Sequence, residues 1–333
     1  MNLAKRNMIG LGAAILSGLI FLPALSTGAI GQDHYPSRPI TLIVPSSAGG
    51  FVDVAARSLA EGLREKLGQP VLVMNKPGAN GKVGLFEMVR SAPDGYTLLI
   101  NNDGGIGIPP AVDPQFLFVA DKDYIPIAQF ADGKYLVTVR GSLPVTTIAE
   151  LIAYARANPD KVNFGSPGIA TSPHMAMEML MQQTNTKMIH VPYPGMAPAM
   201  ADLLKGVIDV LVNAVPGVRA YFDSKAVRIL AVIDKKRLDI LPNVPTIEES
   251  GVKSVAVNGW VGLFGQAGLP RPVLEKLNAA IKATLEDPTF SSRIVALGAE
   301  PSFKGLDEFP EFYRSEIGKW KKFSDETGIK IGK

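Results

Sequence analysis

Two stretches of the sequence gather small hydroxyl residues and glycines where an apolar run gives way to an amphipathic one: Ser46-Ser47-Ala48-Gly49-Gly50 and Gly165-Ser166-Pro167-Gly168-Ile169-Ala170-Thr171-Ser172. At a strand-to-helix junction the first backbone N–H groups lack an intrahelical partner and the helix dipole is positive, so an anion such as a carboxylate is welcome there. The glycines let a ligand approach the backbone, and the hydroxyls add donors. Neither loop contains Lys or Arg, so a negative charge would be met by neutral donors and helix ends. One such loop is an ordinary turn. Two of matched design, one in each half of a chain, could close on a small anion from both sides.

Other chemistries find little support. With no Cys and three His (His34, His174, His190), thiol nucleophiles and Cys- or His-rich metal centres drop out. The segment Gly78-Ala79-Asn80-Gly81-Lys82-Val83 lacks the spacing and the hydroxyl of a phosphate-binding loop. GxSxG and HExxH patterns are missing, and Gly105-Ile106-Gly107 runs into Pro109-Pro110 rather than completing a dinucleotide fingerprint. His174 could serve Ser166 or Ser172 in an exported hydrolase, though no pattern pairs them; support of a loop at a helix start is the plainer role. His190 ends a strand and reads as structural.

The elements that must position the two loops can be read from periodicity. Ile40–Val44, Val71–Met74 and Tyr96–Ile100 are strand runs. Between them, Val52, Ala55, Ala56, Leu59, Leu63 and Leu67 recur at helical spacing up to Gly68, and a second helix is expected near Lys82–Ser91. This β-α-β-α-β order predicts a parallel sheet with right-handed crossovers and ligands beyond the strands' carboxyl ends. A second wound α/β unit starts near Tyr135–Arg140, with a capping box at Thr147–Glu150 and strands at Val162–Phe164, Met188–Val191, Ile208–Val212 and Val227–Val232. After Trp260 the chain reads as mostly helical (Pro270–Leu285, Pro288–Leu297, Leu306–Thr327). These helices have no strands of their own to cover and are expected to pack back on the first unit. The organisation predicted is residues 1–29 as a signal peptide, 30–131 with 259–333 as a discontinuous first lobe, and 132–258 as an inserted second lobe. Chain crossings are expected near Ala131–Lys134 and Val257–Gly259.

At 333 residues with 47% hydrophobic content and net charge +3, the chain can fill two cores and is not disordered. The small basic excess, without a basic run, gives no reason to expect nucleic acid. Lys5 and Arg6 precede an uncharged apolar stretch at 8–25, and Thr27 and Ala29 fit the small-residue exit of a secretory signal, with cleavage after Ala29. The mature protein is expected in the periplasm.

Many further matches lie around the two loops. They include Tyr35-Pro36-Ser37-Arg38-Pro39-Ile40, Ile43-Val44-Pro45 with Ala48-Gly49-Gly50 and Asp53, Leu67-Gly68-Gln69-Pro70-Val71 and Asn75-Lys76-Pro77-Gly78-Ala79. Ala92-Pro93-Asp94-Gly95-Tyr96-Thr97-Leu98, Phe164-Gly165-Ser166-Pro167-Gly168, His190-Val191-Pro192-Tyr193 and Val244-Pro245-Thr246 continue the series. From Tyr35 to the C-terminus the sequence resembles the Bug-type receptors, the extracytoplasmic solute-binding proteins of tripartite tricarboxylate transporters. The resemblance implies an α/β fold of the periplasmic binding protein type II class: two lobes, a hinge, and a ligand cleft between them. It implies no enzymatic activity and no cofactor. The implied partners are a small organic carboxylate and integral-membrane transporter subunits, with the receptor itself a monomer.

Carried over residue by residue, the family's carboxylate-holding loops correspond to Ser46, Ser47, Ala48 and Gly49 and to Ser166, Gly168, Ala170 and Thr171. Where the family commonly has Thr before its Asp, this chain has Val52 before Asp53, so one hydroxyl is missing. Phe51 adds an aromatic surface at the pocket mouth or simply packs. Asn102, in the amide-rich Asn101–Gly105 loop, and Asn213 are expected to line the cleft. With Phe51 they would suit an aromatic or long dicarboxylic acid. Asp53 is expected to cap the loop rather than touch an anion. A carboxylate sensor feeding a signalling kinase is the alternative role.

Overall fold

The computed structural model describes residues 35–253, 255, 257 and 259–330; the expected signal peptide and its cleavage site lie outside these. The first β-α-β-α-β run forms as the periodicity predicts: β1 (Ile40–Val44), α1 (Phe51–Leu67), β2 (Val71–Asn75), α2 (Lys82–Arg90) and β3 (Thr97–Asn102). β1 is flanked in parallel by β2 and β3. Its side chains Ile40, Leu42 and Val44 are buried against Ala55, Ala56, Leu59 and Leu63 of α1. Gly68 ends α1 at φ +68°, its N–H on the Arg64 carbonyl, a left-handed cap that glycine adopts without strain.

A π-helical turn (Asp103–Gly107) and α3 (Pro109–Val112) lead to β4 (Tyr124–Gly133), and after Lys134 the chain enters the second sheet. That unit comprises β5 (Tyr135–Arg140), α4 (Ile148–Ala157), β6 (Asn163–Ser166), α5 (Ser172–Thr184), β7 (Ile189–Pro192), α6 (Met196–Lys205), β8 (Val210–Ala214), α7 (Val215–Val218) and β9 (Val227–Ile233). The chain then returns through β10 (Gly259–Gln266), α8 (Arg271–Leu285), α9 (Pro288–Ala296), β11 (Ala299–Lys304) and α10 (Glu308–Thr327). The first sheet has the order β11-β4-β10-β3-β1-β2, the second β7-β6-β8-β5-β9.

Three expectations are corrected. The return segment is not merely helical: β10 and β11 both pair antiparallel with β4, and β10 also with β3. β4 itself was not foreseen, because Pro126 interrupts its run. The proline is tolerated where β4 extends past its β11 partner and pairs with Phe264 at a register shift. The first sheet is therefore mixed rather than parallel, and so is the second, where β5 runs antiparallel to both β8 and β9.

The three late helices pack on the first lobe, as expected. α8 and α9 bury Val273, Leu277, Ile281, Phe290 and Ile294 in the core of the first sheet, and α10 lies against α3, β4 and the π-helical turn. α10 also extends into a core shared with the second lobe. Phe309 and Tyr313 pack with Ile43, Leu99 and Trp260 of the first lobe, while Trp320 and Phe323 join Val137, Phe164 and Val212 of the second. The Lys134 ammonium, between β4 and β5, reaches Asp234 of the second lobe at 2.7 Å and Glu300 of the first at 3.4 Å. The lobes are thus held together by two chain crossings, one helix and a shared cation.

Candidate functional site

The first anion loop follows β1. Ser47, Ala48, Gly49 and Gly50 are exposed, and Gly49 stands at φ +82°. Asp53, in the first turn of α1, organises this loop. Its carboxylate accepts from Gly49 N–H (2.8 Å), from Arg57 Nε (3.1 Å) and from Asn75 Nδ2 (2.9 Å), while the same Asn75 amide donates to the Ser46 carbonyl (3.0 Å). Burial opposes ionisation of Asp53, but the hydrogen bonds from Arg57, Gly49 and Asn75 win and hold its carboxyl below the usual aspartate range. Both oxygens are occupied by donors of the protein, from the loop, α1 and β2. Asp53→Ala should therefore cost about 2 kcal/mol of stability by stranding the Asn75 amide and the Gly49 N–H, read as a lower denaturation midpoint in urea. It should also weaken ligand binding.

The second loop follows β6, in the other lobe. The Ser166 hydroxyl is buried; it donates to the Gly168 carbonyl (2.8 Å), accepts from Gly168 N–H (3.2 Å) and lies 2.6 Å from His190 Nε2. Thr171 Oγ1 donates to the same carbonyl at 2.7 Å. Ala170 sits at φ +56°, a conformation that strains a residue with a Cβ, and donates its N–H to His174 Nδ1 at 2.9 Å. The serine thus pairs with His190 and not with His174, the partner a hydrolase reading named. Glu178, the carboxylate beside these rings, lies on His174 Nε2 at 3.3 Å.

Neighbouring strands bring up the amides. β3, beside β1, ends in Asn102, whose Oδ1 accepts from Gly105 N–H at 3.2 Å and caps the π-helical turn. β8, beside β6, carries Asn213, fully buried, with Oδ1 accepting from Thr138 Oγ1 at 3.1 Å. That bond aims Nδ2 the other way, where it has no protein partner. Ser46 Oγ, Asn101 Nδ2 and Ser172 Oγ are likewise buried and unpartnered. A buried donor left unpaired costs about 1–3 kcal/mol, so such atoms mark where water or ligand oxygens belong. Of the predicted residues, Ser46 and Asn213 carry this mark, one in each lobe. The Phe51 ring packs over the crossing: a Cβ on Gly133 would stand 2.4 Å from it.

Sequence reasoning missed Asp103. It read as part of a cleft-lining amide loop but is fully buried where the lobes meet, with neither oxygen hydrogen-bonded. A Cβ on the adjacent Gly104 would lie 3.0 Å from Ser172 Oγ and 3.6 Å from Thr171 Cα across the lobe boundary. Burial pushes the Asp103 carboxyl up to about 8, with the Glu316 charge adding and Lys319 opposing. Ser172 is near enough to temper the rise but out of hydrogen-bonding geometry. Among the described residues no cluster of His, Asp and Glu could hold a metal ion, and no helix is long and apolar enough to cross a membrane.

Residues 55–329 match the model of the tripartite tricarboxylate transporter family receptor. The structure of the periplasmic binding protein BugD is 33% identical, with a TM-score of 0.82 over 89% of this chain and 99% of that one. Rpa4515 of R. palustris, solved with adipate, is 29% identical at TM-score 0.84, covering 89% of this chain and 99% of its own. MatC from Rhodopseudomonas palustris, solved with bound malate, is 27% identical at TM-score 0.79, covering 86% and 99%. Two sheets joined by a double crossing, with a Gly/Ser loop at a strand end in each lobe, and a family match over most of the sequence lead to one assignment: the chain belongs to the Bug-type receptors of the tripartite tricarboxylate transporter family, two-lobed periplasmic binding proteins.

Proposed function

We propose that this chain captures a small organic carboxylate in the periplasm and delivers it to the integral-membrane subunits of a tripartite tricarboxylate transporter, without chemical turnover. The observation that carries this reading is the pair of buried, unpartnered donors, Ser46 Oγ and Asn213 Nδ2, one in each lobe. A carboxylate ligand bridging them, one end at Ser46 and its far end at Asn213, would stabilise the closed arrangement of the lobes, and a membrane partner would read closure rather than the ligand. With no Lys or Arg in either loop, the carboxylate is met by the Ser46 and Ser47 hydroxyls and the Ala48 amide, beside Gly49, whose own N–H is held by Asp53. On the other side stands the loop of Ser166, Gly168, Ala170 and Thr171, its own donors engaged within the loop and with His174. Asn102 and Asn213 suit a second polar end, so the ligand class is a dicarboxylate; adipate in Rpa4515 and malate in MatC are the nearest chemical guides. The mature receptor is a monomer beginning after Ala29, its lobes 30–131 with 259–333 and 132–258 bending about the crossings at 131–134 and 257–259.

The test is a thermal-shift screen of residues 30–333 against adipate, malate, aromatic acids, amino acids and nicotinate, followed by calorimetry. A ligand at one hundred times its dissociation constant stabilises by about 2.7 kcal/mol. Dicarboxylates should give that shift, and Ser46→Ala and Asn213→Asp should each weaken the best of them at least about tenfold. Silence from every acid on folded protein, or hits untouched by both substitutions, would overturn the reading.

A further inference from the structure

The second anion loop is held at both ends by a stack of imidazoles. In register, Phe164 of β6 pairs with His190 of β7, and His174 enters from the first turn of α5. The His174 and His190 rings lie 3.9 Å apart and 20° from parallel; His190 in turn stacks on Phe164 at 4.9 Å. His190 Nε2 meets Ser166 Oγ, at the start of the loop, and His174 Nδ1 accepts the N–H of Ala170, near its end. No single ring spans that distance along the chain. Two stacked rings do, and each one's position depends on the other.

The hydrogen bonds also bear on where the ring protons sit. The Ser166 hydroxyl has two acceptors in reach, the Gly168 carbonyl at 2.8 Å and His190 Nε2 at 2.6 Å; with its hydrogen on the carbonyl, His190 donates from Nε2. His174 accepts at Nδ1, so its hydrogen is on Nε2, facing Glu178 Oε1. Both rings are then neutral Nε2–H tautomers, which also lets them stack without charge repulsion. Ala170 is held in its left-handed conformation by a bond that only an unprotonated Nδ1 can make.

We infer that His174 and His190 are the positioning residues of the ligand-binding loop 166–171, acting as one neutral stacked pair. This rests on the reading of that loop as the second half of the carboxylate clamp. The charged and titratable groups around the pair are Glu178 on α5, which faces His174, and each imidazole itself. Burial, and then the neighbouring His174, hold His190 down at about 3, so His190 stays neutral beside Ser166 through the mildly acid range.

The wild-type protein carries the first test without any substitution: long-range 15N–1H NMR should show both imidazoles protonated at Nε2 and bare at Nδ1. Four variants of the mature chain carry the second. His190→Phe keeps the stacked ring and deletes the nitrogen, and His174→Leu deletes the acceptor. His190→Gln and His174→Asn retain a polar atom at the corresponding position. Amide hydrogen exchange at Gly168 and Ala170 in ligand-free protein should quicken at least about tenfold in the first two and stay within about threefold in the rescuing pair, while exchange in α1 stays constant. Adipate affinity should fall in the same order. Either ring protonated at Nδ1, or loop exchange no faster than that of α1 in His190→Phe and His174→Leu, would overturn the inference. Should adipate bind equally to Ser46→Ala and Asn213→Asp, the clamp reading fails on its own while the exchange data still judge the positioning role.

Discussion

Replacing Asp103 by Asn should raise the melting temperature of the mature protein at pH 8 and leave it nearly unchanged at pH 4. In the folded protein burial pushes this carboxyl up to about 8, whereas in the unfolded chain it titrates near the ordinary aspartate value. Between those two points the folded state holds a proton that the unfolded state has released. Stability therefore falls as pH rises, by about 1.4 kcal/mol per pH unit from this one group. From pH 5 to pH 8 the loss is on the order of 4 kcal/mol. Asn keeps the shape and cannot ionise, so the variant lacks this slope. Carboxyls such as Asp53, Glu150 and Glu249, held below their usual range by hydrogen bonds, act in the opposite sense, but their contribution is lost only on acidification through the lower part of the scale. Melting curves of both proteins from pH 4 to 9 separate the two effects. Parallel curves would show that Asp103 ionises freely.

Trp320→Ala should destabilise by about 3–5 kcal/mol. The indole is fully buried in a core that joins Ile108 and Val112 of the first lobe to second-lobe residues. Its removal opens a large cavity in that shared core. The sequence holds two tryptophans, and Trp260 lies in the first-lobe core beside Phe309 and Tyr313. Trp260 fluorescence in the Trp320→Ala variant therefore reports the first lobe, and circular dichroism reports both. An urea midpoint within error of wild type would show that α10 is not anchored in the second lobe. Trp320→Phe should cost far less, because its Nε1 has no hydrogen-bond partner to lose.

The part of the molecule legible in the sequence is the part where backbone chemistry and periodicity agree. β1, α1 and the loop between them follow from an apolar run, a Gly/Ser junction and helical spacing ended by Gly68. β10 was hidden because Gly259, Gly262 and Gly265 interrupt its apolar run. In the fold they are packing devices: a Cβ on Gly262 would stand 2.4 Å from the Phe309 ring. All eight residues of β10 are buried, so it offers no alternation to detect. The imidazole stack was equally invisible. His174 and His190 meet only through the parallel register of β6 and β7 and the entry angle of α5, and no spacing along the chain encodes that. Asp103 looked like a solvated loop residue, because burial between two lobes is a tertiary event that local composition does not announce.

The division of α10 between two cores bears on the order in which this protein can fold. The first lobe needs β10, inserted between β3 and β4, and then Phe309 and Tyr313 from α10. The second lobe, continuous through most of its strands, still waits for Trp320 and Phe323. Neither core can close until nearly the whole chain is available. A polypeptide emerging from a ribosome from its N-terminus thus stays open until its last helix appears, with long-range contacts that assemble slowly. For a member of a family of periplasmic proteins, a chain that stays open in this way also stays threadable through a membrane.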